Sequence, residues 1–255
     1  MNQLIAFTKK EFLSTRRSAK GYIILGIFVL FGVLNPLFAK LTPALLQVVD
    51  ESLGENGTLG VEITANAEMS WSQYYGNIST LMIALFIMIS NTFTNEYSKG
   101  TLINMITKGM DRSKIVIAKF INMFTLWTVC YWIQYAITYI ITGIWWGNGT
   151  VPHLFFAAFC YYLMGTWMVT LITLFSSFLK SMGMVMLTTG ATFLVVCLSN
   201  FFPKVEKFTP LQLTNYYDIF EGCKLPDFTY AIIITALLIV LNIMLSIRLF
   251  NKRGL

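Results

Sequence analysis

NEYSKGTLINMITKGMDRSK, residues 95–114, is a short basic stretch set between two apolar runs that are each long enough to cross a bilayer. Gly100 permits a break after the preceding run. Thr101 is a candidate helix N-cap, and Leu102, Met105 and Ile106 follow at i, i+3 and i+4. Gly109 is a natural stop, and Asp111 or Ser113 offers the next cap, with Lys114 leading into the following run. The stretch reads as a two-turn helix with one apolar stripe, held across a membrane surface by breaks at both ends. A helix that short is marginal in water, so its stripe is expected to seek the bilayer or another protein.

Outward from that stretch the chain is almost entirely hydrocarbon-soluble. Of its 255 residues 56% are hydrophobic, 15% aromatic and 12% charged, where soluble domains carry about a quarter charged residues. Six runs meet the roughly 20-residue length of a membrane-spanning helix: 21–39, 75–94, 115–146, 154–179, 182–202 and 230–250. None contains Asp or Glu, and their Lys and Arg residues sit at their ends. The third, about 32 residues and ~48 Å as a helix, must tilt, break or project. The expected fold class is all-α, a polytopic membrane protein with six transmembrane helices.

Loop charge orients the spans. The N-terminal segment carries Lys9, Lys10, Arg16, Arg17 and Lys20. The second-to-third connection carries Lys99, Lys108, Arg112, Lys114 and Lys119, the fourth-to-fifth turn Lys180, and the end Arg248, Lys252 and Arg253. That is 14 basic residues on one side against three acidic ones, Glu11, Glu96 and Asp111. The other side holds four basic and nine acidic residues, among them Asp50, Glu51, Glu55, Glu62 and Glu68. Six spans with both termini on the cytoplasmic side satisfy every loop.

Two divisions are expected. Residues 1–20 form an N-terminal amphipathic interfacial helix, with Leu4, Ile5, Thr8, Phe12 and Ala19 on one arc and the basic residues on the next, suited to anionic headgroups. The alternative is a plain topogenic tail. Residues 21–255 form the six-helix domain, with the inner helix near 96–113. The outer stretch 210–220 is read either as a short helix dipping an aromatic face into the outer leaflet or as an ordinary loop over the span ends. No small-x-small cleavage site follows the N-terminus, so no removable signal peptide is expected.

Chemistry-bearing residues are few. Cys130, Cys160, Cys197 and Cys223 are scattered, without disulfide or metal spacing, and behave as small hydrophobes. His153 is the one histidine, so catalytic and metal sites are expected to be absent, and an intramembrane hydrolase is disfavoured. Asn56-Gly57-Thr58, Asn77-Ile78-Ser79 and Asn148-Gly149-Thr150 match a glycosylation pattern that also arises by chance. Asn77 lies too near the membrane to use it.

Glu-x-x-x-Gly-Thr-Leu directly after the second span (Glu96, Gly100, Thr101, Leu102), followed by Asp111-Arg112-Ser113-Lys114 and Lys119-Phe120, resembles ABC-2-type permeases, the membrane subunits of ABC exporters. The resemblance covers the whole chain in layout and about 25 residues in motif. It implies a coupling helix, built from Glu96, Gly100, Thr101, Leu102, Met105, Ile106 and Arg112, that docks on a cytoplasmic ATPase. Glu96 would sit at the membrane boundary, pairing with an ATPase cation or with the N-terminal basic cluster, and 180–183 would be a second, smaller contact. It also implies two ATPase subunits holding ATP and Mg, a second permease subunit, and a bacterial cytoplasmic membrane. This chain would bind no cofactor, because no Gly-x-x-x-x-Gly-Lys-Ser/Thr loop occurs in it. Lipids are expected partners and nucleic acid is not.

In such permeases the second and fifth spans face the substrate path. The polar or bulky residues there are Ser90, Asn91 and Thr92 in the second and Thr188, Thr189, Thr192 and Phe193 in the fifth. Ordinary hydrogen bonding between helices is the competing account of the hydroxyls. With no acid inside the spans, an apolar or amphipathic cargo fits better than a bare ion. The alternatives are an ion-coupled secondary transporter, which normally needs an intramembrane charge or a broken helix, and a membrane anchor for a cytoplasmic partner.

Overall fold

The apolar runs become helices of 18 to 35 residues. The computed structural model describes residues 2–53, 64–98, 100–107, 109–222 and 226–252; the Asn56 triplet, Glu55, Glu62, Lys99, Lys108, Cys223 and Arg253 lie outside them. Helix α1 (Asn2–Arg17) turns at Ser18 into α2 (Ala19–Leu53), and α3 (Ala67–Ile89) passes through Ser90 into α4 (Asn91–Ser98). After α5 (Thr101–Thr107) come α6 (Arg112–Trp145), α7 (Leu154–Phe178) and α8 (Met182–Ser199). The short α9 (Pro203–Glu206), a 3-10 turn (Pro210–Thr214) and α10 (Tyr216–Phe220) precede α11 (Asp227–Lys252). Six of these helices are long and apolar enough to cross a membrane, and no strand occurs among the described residues. The chain is an all-α, multi-pass membrane protein.

The first span differs from the 21–39 expected of it, because α2 runs on through Pro36 and Pro43 to Leu53. A proline inside a helix removes an amide and frees the carbonyl four residues back. For Pro36 that carbonyl belongs to Gly32, and the Thr138 hydroxyl of α6 donates to it at 3.0 Å. Glycine eases the approach: a Cβ at Gly32 would stand a tight 3.1 Å from Ile137 Cβ and 3.2 Å from the Gln134 carbonyl oxygen. The neighbouring helix thus supplies the partner that membrane interiors demand. Asn35, fully buried, accepts a 2.9 Å hydrogen bond from the Asn77 amide of α3. Asn77 therefore works inside the bundle.

The third span, 34 residues in α6, neither breaks nor stops at the membrane. At ~1.5 Å per residue it is about 51 Å long. It forms the spine of the bundle, with α1, α2, α3, α7 and α11 packed around it. Trp71, Tyr74, Tyr75, Trp127 and Tyr131 are fully buried, and the polar tips of three of them find backbone carbonyls. Tyr75 Oη donates to Leu154 O (3.1 Å), Tyr131 Oη to Ala158 O (2.7 Å) and Trp127 Nε1 to Tyr162 O (3.3 Å). Such pairing is what allows these rings to be buried at all. Asn148 closes the α6–α7 loop by donating to Tyr139 O (2.9 Å) and accepting from Trp71 Nε1 (3.2 Å). His153, with φ 53, occupies the N-cap position of α7, and its carbonyl accepts from Ala157 N at 3.0 Å.

Two amphipathic assignments need correction. In α1 the buried line is Phe7 and Glu11, with Leu4, Thr8 and Thr15 half-buried beside them, whereas Ile5 and Phe12 of the expected apolar arc are exposed. The covered face is chosen by α6 packed against it, which outweighs the helix's own moment. The 210–220 stretch is helical but broken in two at Asn215. Its aromatic face turns inward: Tyr216 stacks on Tyr75 (ring centroids 5.3 Å), Leu213 and Ile219 are fully buried, and Tyr161 Oη donates to Thr214 O at 2.6 Å. Of that face only Tyr217 is left well exposed.

Candidate functional site

The segment 95–114 is built much as its residues require. Gly100 (φ 66) and Gly109 (φ 83) both take the left-handed conformation that other residues adopt at a cost. Between them α5 makes two turns. Gly109 N donates to Ile106 O (2.9 Å) and Met110 N to Met105 O (3.2 Å), the paired bonds of a Schellman cap. Thr101 differs from its expected role. It is the first helical residue, and its hydroxyl donates backward to Glu96 O at 3.3 Å, satisfying one of the carbonyls left open at the end of α4. Asp111 is the N-cap residue of α6, without a side-chain capping bond, and it pairs with Lys114 instead.

The apolar stripe does not wait for the bilayer or a partner. Leu102 is fully buried in the chain's own core, and Met105 and Ile106 pack half-buried against it. Thr107 and Gly109 remain exposed. Arg112 Nη1 donates to Asn251 O (3.1 Å), and Asn251 Nδ2 to Ser113 Oγ (3.1 Å), tying the start of α6 to the end of α11. A Gly109→Ala exchange should therefore loosen α5 locally. Forcing alanine into the left-handed region costs about 1–2 kcal/mol, so amide exchange in 105–107 is expected to quicken about tenfold, with α6 and α7 unchanged. Uniform exchange across all three would mean that Gly109 is not the local stop.

Beneath this segment lies a four-charge cluster that sequence reasoning resolved only in part. Lys119 of α6, 1% exposed, places Nζ 2.8 Å from Glu96 Oε2, 3.3 Å from Glu11 Oε2 and 3.2 Å from the Thr92 carbonyl. Lys10 Nζ bridges the same two acids at 2.9 Å each. The pairing of Glu96 with the N-terminal basic cluster is thus made by Lys10. Glu11, by contrast, reads in the sequence only as a loop charge, and Lys119 only as a loop charge and part of the Lys119-Phe120 motif. The available signal was that Lys119 lies deepest in its span and that Glu11 is the sole acid in residues 1–20, since a buried cation demands a carboxylate. Asn122 Nδ2 extends the joint by donating to Thr15 Oγ1 at 2.9 Å.

Burial works against the Lys10 ammonium, but the hydrogen bonds to Glu96 and Glu11 and their charges outweigh it, raising its pKa above 10.5. A raised lysine contributes its stabilisation fully below its ordinary value and loses it only as pH climbs through the higher folded one. The share due to Lys10 is therefore constant across the neutral range.

The seven residues expected along a substrate path separate into three groups. Ser90, Thr189 and Phe193 line one cavity of about 340 Å³ between α3, α7 and α8, roofed by Leu211 and Thr214 of the 3-10 turn. Methionines 82, 164, 168 and 186 furnish much of its wall. Asn91 and Thr92 face the opposite way, into a polar recess of about 220 Å³ with Glu11, Glu96 and Lys119. Thr188 and Thr192 line neither cavity; their hydroxyls donate to Met184 O (2.8 Å) and Thr188 O (2.9 Å) of their own helix. Thr189 and Ser90 are satisfied the same way, by Val185 O (2.7 Å) and Ile87 O (2.9 Å). These hydroxyls therefore bond within their helices rather than between them.

No curated protein matches the chain. The family model described as "ABC-2 family transporter protein" matches residues 5–255. With six membrane-length helices and a match that spans nearly its whole length, the chain belongs to the ABC-2 transporter family and is the permease, the membrane subunit, of an ABC transporter.

Proposed function

We propose that this permease works with two separate ATPase subunits, which hold ATP and Mg, and moves an apolar or amphipathic cargo out of a bacterial cell. Hydrophobic peptides, lipid-like molecules and drugs are the cargo classes in view. Both termini and α5 lie on the cytoplasmic side, following the basic residues. Residues 96–112 are the ATPase contact. The observation that carries this reading is the mounting of α5: it is closed at each end by a left-handed glycine and joined through α4, α6 and the charge cluster to α1. A push on its exposed end reaches three helices together. Since Leu102 is buried, it anchors α5, and the partner meets Thr107, Gly109 and Arg112.

The cavity between α3 and α8 suits such a cargo. Its volume lies within the range of about 300–1,000 Å³ typical of small-molecule sites. Its methionines can adapt to irregular apolar shapes. Helix α8 is the least covered span, with Val185 and Thr189 its buried residues, and a second permease subunit covers it in the working transporter. The chain does no bond chemistry itself. It contributes two packed states whose balance the ATPases bias.

The test is purification from the native membrane with gentle detergent, followed by an ATPase assay with and without candidate apolar cargo. An ATPase subunit should co-purify and be stimulated by cargo. Arg112→Glu should weaken that association about 30-fold, the equivalent of the roughly 2 kcal/mol lost when an interfacial charge is mismatched, with only a small fall in the thermal midpoint from the lost bond to Asn251 O. Absence of any bound ATPase would overturn the reading in favour of secondary transport. A bound ATPase whose turnover ignores every cargo would leave an anchor.

A further inference from the structure

On the side of α6 away from that cavity, a groove of about 420 Å³ runs between α1, α2 and α6. Its walls are apolar: Leu126 and Val129 from α6, Tyr22 and Leu25 from α2, Phe12 from α1. Tyr22 and Val129 are 60% and 43% exposed, so the groove opens sideways toward lipid. Its polar floor is already satisfied by the Asn122–Thr15 bond. Arg16 sits at the mouth, one turn along α1 from Phe12. Gly21 lets α1 lie close to the start of α2: a Cβ there would stand a tight 3.1 Å from the Thr15 carbonyl oxygen.

The charges around this mouth are of one sign. Arg16, Arg17 and Lys20 fall within five residues, and none of them enters an ion pair among the described residues. The acid closest in sequence, Glu11, is held by Lys119 and Lys10. A groove with an apolar length and a cationic end complements a molecule with an apolar chain and an anionic end, and the bilayer beside it supplies one. We infer that this groove is a binding site for an anionic glycerophospholipid. Its phosphate meets Arg16, whose planar fork matches phosphate oxygens. One acyl chain lies along Leu25, Leu126 and Val129. Basic mouths between spans on the inner side of a membrane are suited to such headgroups. The site is separate from the proposed cargo path and does not depend on it.

The experiment reconstitutes the full chain in vesicles of phosphatidylglycerol and phosphatidylcholine, re-extracts it in detergent and quantifies the lipid retained by headgroup. Wild type should hold phosphatidylglycerol in preference to phosphatidylcholine. Arg16→Gln should reduce the retained phosphatidylglycerol about tenfold, as expected on losing a charge-assisted hydrogen bond. Val129→Trp, which fills the groove from its open side, should reduce retention of both lipids. Lys180→Gln, a cation on the same inner side but remote in the chain, should change nothing. Helix content by circular dichroism establishes that each variant is folded, and Arg16→Gln, a surface exchange, decides the matter alone if Val129→Trp does not fold. Equal retention by wild type and Arg16→Gln, or an equal loss in Lys180→Gln, would overturn the proposal and leave unselective surface attraction.

Discussion

Lys119→Met should lower the stability of the purified protein by about 3–5 kcal/mol, the cost of breaking a buried ion pair from one side. Methionine replaces the stem of the lysine well, so the loss is electrostatic. Glu11, 4% exposed, keeps only Lys10, and Lys10 must then serve Glu96 as well. Thr92 O also loses its donor. Thermal unfolding followed by tryptophan fluorescence reads the effect as a large fall in midpoint. The double variant Glu11→Gln/Lys119→Met should recover much of it, because it removes the orphaned charge along with its partner. A Lys119→Met midpoint equal to wild type would show that the cluster does not clasp these helices.

The value of this joint lies in where it stands. Salt bridges on a surface contribute little, and a buried pair is seldom more stable than an apolar replacement of both partners. Its gain is geometric, since the charges fix α1, α4 and α6 in one register next to α5. Under the proposed function, that register makes α5 a lever rather than a loop. The cluster also closes the polar recess that Asn91 and Thr92 line, which sets these two residues apart from the cavity that Ser90 faces one helical step away.

How far the sequence could be read depended on whether a residue's role was local. Gly100 and Gly109 were legible because a left-handed turn is a property of the backbone at that residue, and both adopt it. Spans were legible because their length and apolarity answer to the bilayer alone. Pro36 was not, because the partner that lets α2 continue is Thr138, about a hundred residues away. The buried face of α1 was misjudged for the same reason: a helical wheel ranks hydrophobicity, yet Glu11 is buried and Ile5 exposed because Lys119 lies opposite. The 210–220 stretch was legible as helix but not in its direction. Tyr216 is suited equally to the interface and to a stack on Tyr75, and only the packed bundle chooses. The substrate-path hydroxyls could not be sorted by residue type, since a serine or threonine in a helix can bond to its own backbone, as Thr188, Thr189 and Thr192 do, whether it lines a cavity, as Thr189 does, or not.

Gly165→Ala is the second exchange expected to have a large effect, and it tests how the spine is packed. A Cβ at this position would stand 2.1 Å from Trp127 Cζ2, 2.6 Å from Cε2 and 2.7 Å from Cη2. The indole cannot easily retreat. It is fully buried, donates to Tyr162 O, stacks with Tyr162 (interplanar 6°), lies 4.9 Å from the Tyr131 ring and meets Phe28 edge-on at 6.3 Å. Alanine must therefore either push α7 from α6 or turn the indole out of its hydrogen bond. Overpacking of this kind costs about 1–3 kcal/mol and sometimes more, and the rigid, fully flanked ring places Gly165→Ala at the upper end. A lowered unfolding midpoint with blunted tryptophan burial is the expected reading. Trp127→Phe should be less damaging in the Gly165→Ala background than in wild type, because the smaller ring vacates the space the methyl needs; that non-additivity is the signature of direct contact. Additive losses would mean that the third and fourth spans shift apart without conflict. Gly165 would then be a bystander, and the contact between α6 and α7 would rest on their other buried residues and on the carbonyl-seeking tyrosines.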